Sequence, residues 1–224
     1  FLIKDFSLTD DQFSTIAGLI LLGGVIAKTI LLINDYFGRR TMIYLNLLLF
    51  IAGILLFTCA QSYSGLYIGR LIQGAAAIMS TVVFNVYLSE IAPSSKRGMF
   101  VIIFQLSWTA GMFLANIVNL GLEQTGNWQL MFNSILIIPV ILLFTTHLLP
   151  LSPRWLVLKG RFDEAKESLK AINCNMPEEE LKTEMEMLAA GSGKVDWSHS
   201  FKLLFKYKKP VFLAVSVYVL TQLS

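Results

Sequence analysis

The sequence is poor in charged residues, which make up 15% of its 224 positions. A soluble domain usually carries about 25%. Hydrophobic residues reach 55% and the mean hydropathy is +0.64, so the composition argues against a soluble enzyme. The same apolar content, with 12% aromatic residues, excludes a disordered chain. These features indicate an integral membrane protein.

Cysteine and histidine are also scarce. Cys59 and Cys174 cannot form a disulfide framework, and His147 and His199 lack the spacing of metal ligands. No Ser/His/Asp, HExxH or phosphate-loop pattern is present. We therefore expect no enzymatic activity, no cofactor, no metal and no nucleic-acid partner.

Long apolar segments are plentiful instead. A helix needs about 20 mainly apolar residues to cross the bilayer, and lipid offers no partner to an unpaired backbone group, so each span must be helical. The sequence predicts five such spans, at roughly 13–33, 41–60, 66–91, 99–122 and 128–149, and a sixth that begins near Pro210. Segment 150–209 differs, with 11 basic and 9 acidic residues, and predicts short amphipathic helices near 160–165 and from Pro177.

The basic residues set the expected orientation. Of the 18 Lys and Arg residues, 15 lie in loops 34–40 and 92–98 and in segment 150–209, whereas loops 61–65 and 123–127 have none. The positive-inside rule therefore places the first three in the cytosol. Phe1 would then lie outside without a signal peptide, so we expect a fragment that lacks at least one preceding span.

Several charges converge on the predicted cytosolic face. Asp35 precedes Arg39 by four residues, and Glu90 precedes Arg97 by seven. Ion pairs between these helix ends could latch the bundle shut, or the charges could be ordinary solvated residues that contribute little. Near the opposite face, Arg70 is either an interface anchor or a gating residue.

The fourth predicted span carries polar residues at helical spacing. Gln105 and Trp108 lie one turn apart, and Asn116 and Asn119 follow. An amide beside an indole suits a sugar, because hydroxyls need donors and acceptors and sugar rings stack on aromatic rings. Hydrogen bonding between helices explains the same residues equally well.

Four segments carry motifs that follow one another between the spans. They are Asp35-Tyr36-Phe37-Gly38-Arg39-Arg40; Gly69-Arg70 and Gly74 with Tyr87, Glu90-Ile91-Ala92-Pro93 and Arg97-Gly98; Pro150-Leu151-Ser152-Pro153-Arg154-Trp155-Leu156; and Thr221-Gln222-Leu223-Ser224. Together they resemble the sugar porters of the major facilitator superfamily, in the manner of facilitated trehalose and glucose transporters. The likeness extends over nearly the whole chain.

This resemblance implies an all-α transporter of twelve spans in two halves that works by alternating access. Residues 1–149 would form spans two to six of the N-terminal bundle, 150–209 a cytosolic helical linker, and 210–224 the start of span seven. The implied sugar-binding residues are Gln105, Trp108, Thr221 and Gln222. The implied gating network is Asp35, Arg39, Arg40, Glu90, Arg97 and Arg154, and Arg70 falls on an arginine that takes part in proton coupling in some members.

Two departures qualify that implication. Leu151 replaces a glutamate of the gating network, and Thr221 replaces the first of two paired glutamines. We predict transport of a hexose or a trehalose-like sugar, facilitative or coupled to protons, in the plasma membrane. A non-transporting sugar sensor on the same scaffold, or a porter for another small organic solute such as an organic cation or a polyol, is the alternative.

Overall fold

The computed structural model describes residues 2–30, 37–92, 97–172 and 177–190. These residues form helices and contain no strand, which confirms the predicted all-α class. The α-helices are α1 (Leu2–Asp5), α2 (Asp10–Ile30), α3 (Arg39–Thr58), α4 (Tyr63–Ile91), α5 (Arg97–Leu122), α6 (Trp128–Ser134), α7 (Ile137–Thr145), α8 (Pro153–Leu158), α9 (Phe162–Ile172) and α10 (Glu178–Ala190). The short helices predicted near 160–165 and from Pro177 are present as α9 and α10.

Among the described residues, five helical segments are long and apolar enough to cross a membrane, as predicted. The predicted sixth span, from about Pro210, lies outside those residues. Side chains cap the starts of two of these segments. Thr9 and Gln12 cap each other's backbone N–H groups at the start of α2, which is a capping box. The Asn127 side chain accepts from the Leu130 N–H at the start of α6, after Gly126 turns the chain with a φ of 66°.

The last span departs from the prediction of a single helix, because it divides into α6 and α7. Pro139 is the physical reason. A proline inside a helix has no N–H to donate and its ring collides with the carbonyl four residues earlier, which here belongs to Ile135. The Ile135 and Leu136 N–H groups bond three residues back, at 3.2 and 3.0 Å, instead of four. The break therefore falls at the place where Pro139 disturbs the helix.

Helix α4 packs against both α2 and α3. It meets α3 at two glycines: a Cβ on Gly69 would lie 2.6 Å from the Phe57 nitrogen, and one on Gly53 would lie 2.8 Å from the Gln73 nitrogen. Only glycine permits backbones to approach so closely. This contact fixes the position of α4 and of the side chains at its end.

Helix α5 is the least covered of the spans. None of the residues Gly98–Thr125 is buried. Gln105 and Trp108 are both exposed, and Trp108 keeps 44% of its surface. The described residues thus leave the polar face of α5 open.

The short helices after the last span pack together around Leu156, Val157 and Ala165. The chain turns between α8 and α9 at Gly160, whose φ is 74°. There the Gly160 and Arg161 N–H groups bond to the carbonyls of Val157 and Leu156, each at 2.9 Å. A left-handed glycine with these two bonds is a Schellman-type helix end.

Candidate functional site

A buried ion pair joins the start of α3 to the end of α4. The Arg39 Nη2 lies 2.7 Å from the Glu90 Oε1, and the Arg39 Nε donates to the Glu90 Oε2 at 2.9 Å. The side chains are only 5% and 4% exposed. The two parallel hydrogen bonds give the bidentate geometry that holds an arginine and a carboxylate most firmly.

Both charges are placed against the dipole of their own helix. Arg39 is the first residue of α3, where the helix carries a partial positive charge, and Glu90 lies next to the last residue of α4, where the partial charge is negative. Neither charge is therefore stabilised by its own helix. Each is stabilised by the other, so separating α3 from α4 at this end leaves two unfavourable charges.

Ser152 adds a third partner to the pair. Its hydroxyl donates to the Glu90 Oε2 at 2.6 Å and accepts from the Trp155 N–H at 3.2 Å. Ser152 is the N-cap of α8 and Pro153 is the first helical residue, a sequence order that favours a helix start. The residue that begins α8 is thus also bound to the end of α4.

Two further hydrogen bonds hold the chain that leads to α8. The Tyr87 hydroxyl, one turn before Glu90, donates to the Pro150 carbonyl at 2.8 Å. The Arg40 guanidinium donates to the His147 carbonyl. We call the five side chains Arg39, Arg40, Tyr87, Glu90 and Ser152 the latch. It brings three stretches of chain together at one end of the bundle.

The structure locates the other predicted gating residues less closely. Arg154 is exposed and forms no ion pair with any residue that the structure describes. Asp35 and the Arg97 side chain lie outside the described residues. Their part in the network stays a prediction.

Leu151, which replaces the expected glutamate, is accommodated by apolar packing. It contacts the cluster of Leu156, Val157 and Ala165, and its carbonyl accepts from the Ser168 hydroxyl. Leu151 therefore makes an apolar contact between the segment that α4 binds, at Pro150 and Ser152, and the helices α8 and α9. A carboxylate here would lie against that cluster.

The polar face of α5 presents the predicted sugar-binding residues. Gln105 and Trp108 lie one turn apart, and the Gln105 side chain makes no hydrogen bond with a described residue. The Asn116 side chain instead bonds to the Met112 carbonyl of its own helix at 2.8 Å. Thr221 and Gln222 lie outside the described residues, so the structure does not bring them to Gln105.

Arg70 lies among aromatic rings near the opposite end of α4. Its Cζ is 4.7 Å from the centre of the Phe57 ring and 4.9 Å from that of Phe132, and its Nη1 donates to the Gln73 Oε1 at 2.7 Å. The buried Nε has no partner in the described part of the chain. Cation–π contacts and an amide therefore hold a guanidinium that has no carboxylate among the described residues.

At the end of the bundle opposite the latch, α1, α3 and α6 meet in a cluster that the sequence did not predict. The Trp128 Nε1 donates to the Asp5 Oδ2 at 2.8 Å, and the Trp128 ring packs edge-on against Phe6 and Phe57. The bond joins residues 123 positions apart, and no local pattern indicates it. Ser152 was also missed, although a serine before a proline at a helix start is a recognisable capping signal.

The helical arrangement matches solved membrane transporters. The proton:xylose symporter XylE of the major facilitator superfamily, bound to 6-bromo-6-deoxy-D-glucose, superposes with a TM-score of 0.69 at 22% identity. That match covers 80% of this chain and 42% of the other. The inward open conformation of XylE from E. coli gives 0.67 over 82% and 45%. The fold is that of the major facilitator superfamily, of which this chain resembles the N-terminal half.

Sequence comparison identifies the family to which the chain belongs. The profile of the family described as "Sugar (and other) transporter" matches residues 5–224, and the chain belongs to that family. It is 36% identical to the D-xylose transporter of Levilactobacillus brevis over 77% of this chain and 38% of the relative. It is 32% identical to monosaccharide-sensing protein 2 of Arabidopsis thaliana (85% and 26%) and 30% identical to the galactose-proton symporter of Escherichia coli strain K12 (84% and 40%). The chain thus spans about a quarter to two fifths of these relatives.

Proposed function

We propose that the intact protein carries a neutral sugar, a hexose or a trehalose-like sugar, across the membrane by alternating access. The observation that carries the proposal is the latch, in which one buried carboxylate, Glu90, holds both Arg39 and Ser152. Opening that end of the bundle separates these groups. A sugar shifts the balance between the two states only by binding them unequally.

The sugar would bind at the exposed polar face of α5. The Gln105 amide has both a donor and an acceptor to offer a hydroxyl, and Trp108 offers a ring surface one turn away. A second bundle that covers this face would complete the site. In that arrangement Thr221 and Gln222 would contribute from the start of span seven.

The orientation and domain limits form part of the same proposal. Loops 34–40 and 92–98 and the linker 150–209 would face the cytosol, with the protein in the plasma membrane. Residues 1–149 would belong to the first bundle and 210–224 to the second. The distribution of Lys and Arg supports this orientation.

Uptake by proteoliposomes that contain the intact protein tests the proposal. A neutral hydrogen bond contributes about 0.5–1.5 kcal/mol, so we expect Gln105→Ala to raise the KM for sugar by roughly 2- to 10-fold. Gln124→Ala, a matched change at an exposed residue in the turn before α6, should leave KM unchanged. Equal kinetics of wild type and Gln105→Ala would contradict the site.

Sugar sensing without transport is the second candidate. It is favoured by the similarity to three monosaccharide-sensing proteins of Arabidopsis thaliana. A sensor would bind sugar but give no counterflow of labelled sugar across the vesicle membrane. A competition panel of sugars, polyols and organic cations, measured at several pH values, would identify the solute. Repeating the pH series with Arg70→Gln would show whether Arg70 takes part in proton coupling.

A further inference from the structure

The last turns of α4 present polar side chains on the side that faces away from α3. Val83 and Tyr87 are 1% and 3% exposed and share an apolar cluster with residues of α3. Asn85 lies two residues from each of them, and the helical repeat of 3.6 residues directs it to the opposite side of α4. Asn85 is exposed there. An asparagine is thus open to its surroundings inside a segment that is apolar enough to cross a membrane.

Asn85 has hydrogen-bonding groups that its own helix does not use. Its Nδ2 donates to the Thr81 carbonyl, one turn earlier, at 2.7 Å. A primary amide has two N–H donors and one oxygen that accepts. The Oδ1 and the second N–H make no bond to any residue in the described ranges. The bond to Thr81 therefore holds the side chain along the helix, and the remaining donor and acceptor are available to a hydroxyl group.

Hydroxyl groups extend this polar surface along α4. Thr81 lies one turn before Asn85 and Ser89 lies one turn after it, and their hydroxyls donate to the carbonyls of Ile78 and Val86 at 2.7 and 2.8 Å. Each hydroxyl oxygen keeps its acceptor lone pairs. We call Thr81, Asn85 and Ser89 the inner polar face. Polar side chains within spans usually face a water-filled cavity or the interior of a bundle, which favours a cavity on this side of α4.

The inner polar face lies between the depth of Gln105 and the latch. Asn85 is six residues from the end of α4 and Gln105 is eight residues from the start of α5, which gives about 9 and 12 Å at 1.5 Å per residue. The two helices contact each other, and these two ends lie at the same end of the bundle. Ser89 is next in sequence to Glu90 of the latch. A solute that leaves Gln105 toward the latch would therefore pass Asn85.

We propose that Asn85 is a further sugar-binding residue, which the solute contacts between Gln105 and the latch. The inference rests on the proposed function, because it requires a sugar at Gln105. The Asn85 amide carries no charge that would attract an ion. It exchanges water for a sugar hydroxyl, donor for donor and acceptor for acceptor. Asn85 therefore selects a neutral solute with several hydroxyl groups over an organic cation.

A cysteine reaction tests this in the intact protein, reconstituted in vesicles. The variant is Asn85→Cys, after Cys59 and Cys174 are replaced by serine. A charged methanethiosulfonate reacts with a thiol in water but not with one that faces lipid, and it is supplied on both sides of the membrane so that orientation does not matter. We expect Asn85→Cys to react. At saturating concentration the probe sugar that the vesicles take up, among D-glucose, D-galactose, D-xylose and trehalose, should slow that reaction severalfold.

The matched control is Ile141→Cys on α7. Ile141 is 56% exposed and lies seven residues before Leu148, where the last candidate span ends, so its depth of about 10 Å is close to that of Asn85. Ile141 is apolar, and we expect it to face lipid and its cysteine variant not to react. If Asn85→Cys reacts as slowly as Ile141→Cys, Asn85 also faces lipid and the proposal is overturned.

Transport kinetics provide a second measurement. Asn85→Ala should raise the KM for the sugar by about 2- to 10-fold, the effect of one neutral hydrogen bond. Asn85→Gln, which keeps the amide, should stay closer to wild type than Asn85→Ala. Gln124→Ala, in the turn before α6, should leave KM unchanged. A wild-type KM in Asn85→Ala would overturn the role of Asn85.

The two proposals fail in different ways. If the vesicles take up a sugar that does not slow the reaction of Asn85→Cys, the role of Asn85 is overturned and the transport proposal stands. If wild type takes up none of the probe sugars, the transport proposal is contradicted. A probe sugar that still slows the reaction would then support Asn85 as a binding residue, and the lack of any slowing would overturn both.

Discussion

Replacement of Glu90 by glutamine removes the charge at the centre of the latch. Glu90→Gln keeps the size of the side chain but leaves Arg39, which is 5% exposed, without the carboxylate that holds it. It also weakens the acceptor of the Ser152 hydroxyl. Breaking a buried pair on one side costs about 3–5 kcal/mol, because the remaining charge stays buried without its carboxylate.

The expected result is a large loss of thermal stability in the intact protein. A loss of about 3 kcal/mol lowers Tm by on the order of 10 °C for a unit of 224 residues, and by less for a longer protein. Unfolding followed in detergent measures the change. The distance between a label at the start of α3 and a label at the end of α4 should also increase, because the ion pair holds these two helix ends together.

The exposed pair of Arg161 and Glu164 provides the control. It has the same chemistry, but its side chains are 46% and 44% exposed, so Glu164→Gln should cost less than about 1 kcal/mol. The double variant Arg39→Gln with Glu90→Gln should recover part of the stability lost by Glu90→Gln, because it also removes the buried positive charge that Glu90 neutralised. Equal shifts for Glu90→Gln and Glu164→Gln, or no recovery in the double variant, would refute the reasoning.

Two other changes test how α4 is held. Gly69→Ala places a Cβ 2.6 Å from the Phe57 nitrogen, so we expect thermal unfolding to show a loss of stability of about 1–3 kcal/mol. Gly18→Ala is the control: a Cβ there would have nothing within 4 Å, so the change should be neutral or slightly stabilising. Similar melting temperatures of the two variants would contradict the close approach of α4 to α3. Tyr87→Phe removes the donor to the Pro150 carbonyl and should cost about 1 kcal/mol. Faster hydrogen exchange in the segment before α8 would accompany it, and unchanged exchange would show that this bond does not hold the segment.

The spans were predictable because their signal is local. Twenty apolar residues in a row indicate a helix wherever the rest of the chain lies, and Ser62 and Asn127 mark helix starts that the structure contains. The division of the last span was not predicted, although Pro139 was visible in the sequence. The prediction of one helix over 128–149 depended on hydropathy. A proline leaves the hydropathy of a span nearly unchanged, although it removes a backbone hydrogen bond.

The site was predictable only in part, because pairing across the fold has no local signal. The sequence predicted that Arg39 and Glu90 lie at the same membrane face, but not that they form an ion pair with each other. Their partner Ser152 is 62 residues from Glu90 along the chain. Motif resemblance indicated Arg39 and Glu90, whereas the bonds of Tyr87 to Pro150 and of Trp128 to Asp5 depend on how helices cross. Such contacts follow from packing, which composition and spacing do not determine.

The break in the last span has a mechanical consequence. Because Ile135 and Leu136 lack the regular bonding of a continuous helix, α6 and α7 are separate stiff segments on either side of a flexure. Helix α6 is anchored to α1 through Trp128, and the chain after α7 continues through Pro150 into the latch. In the proposed alternating access, a tilt of either segment would bend the span at this break, so the two ends of the bundle would move by different amounts.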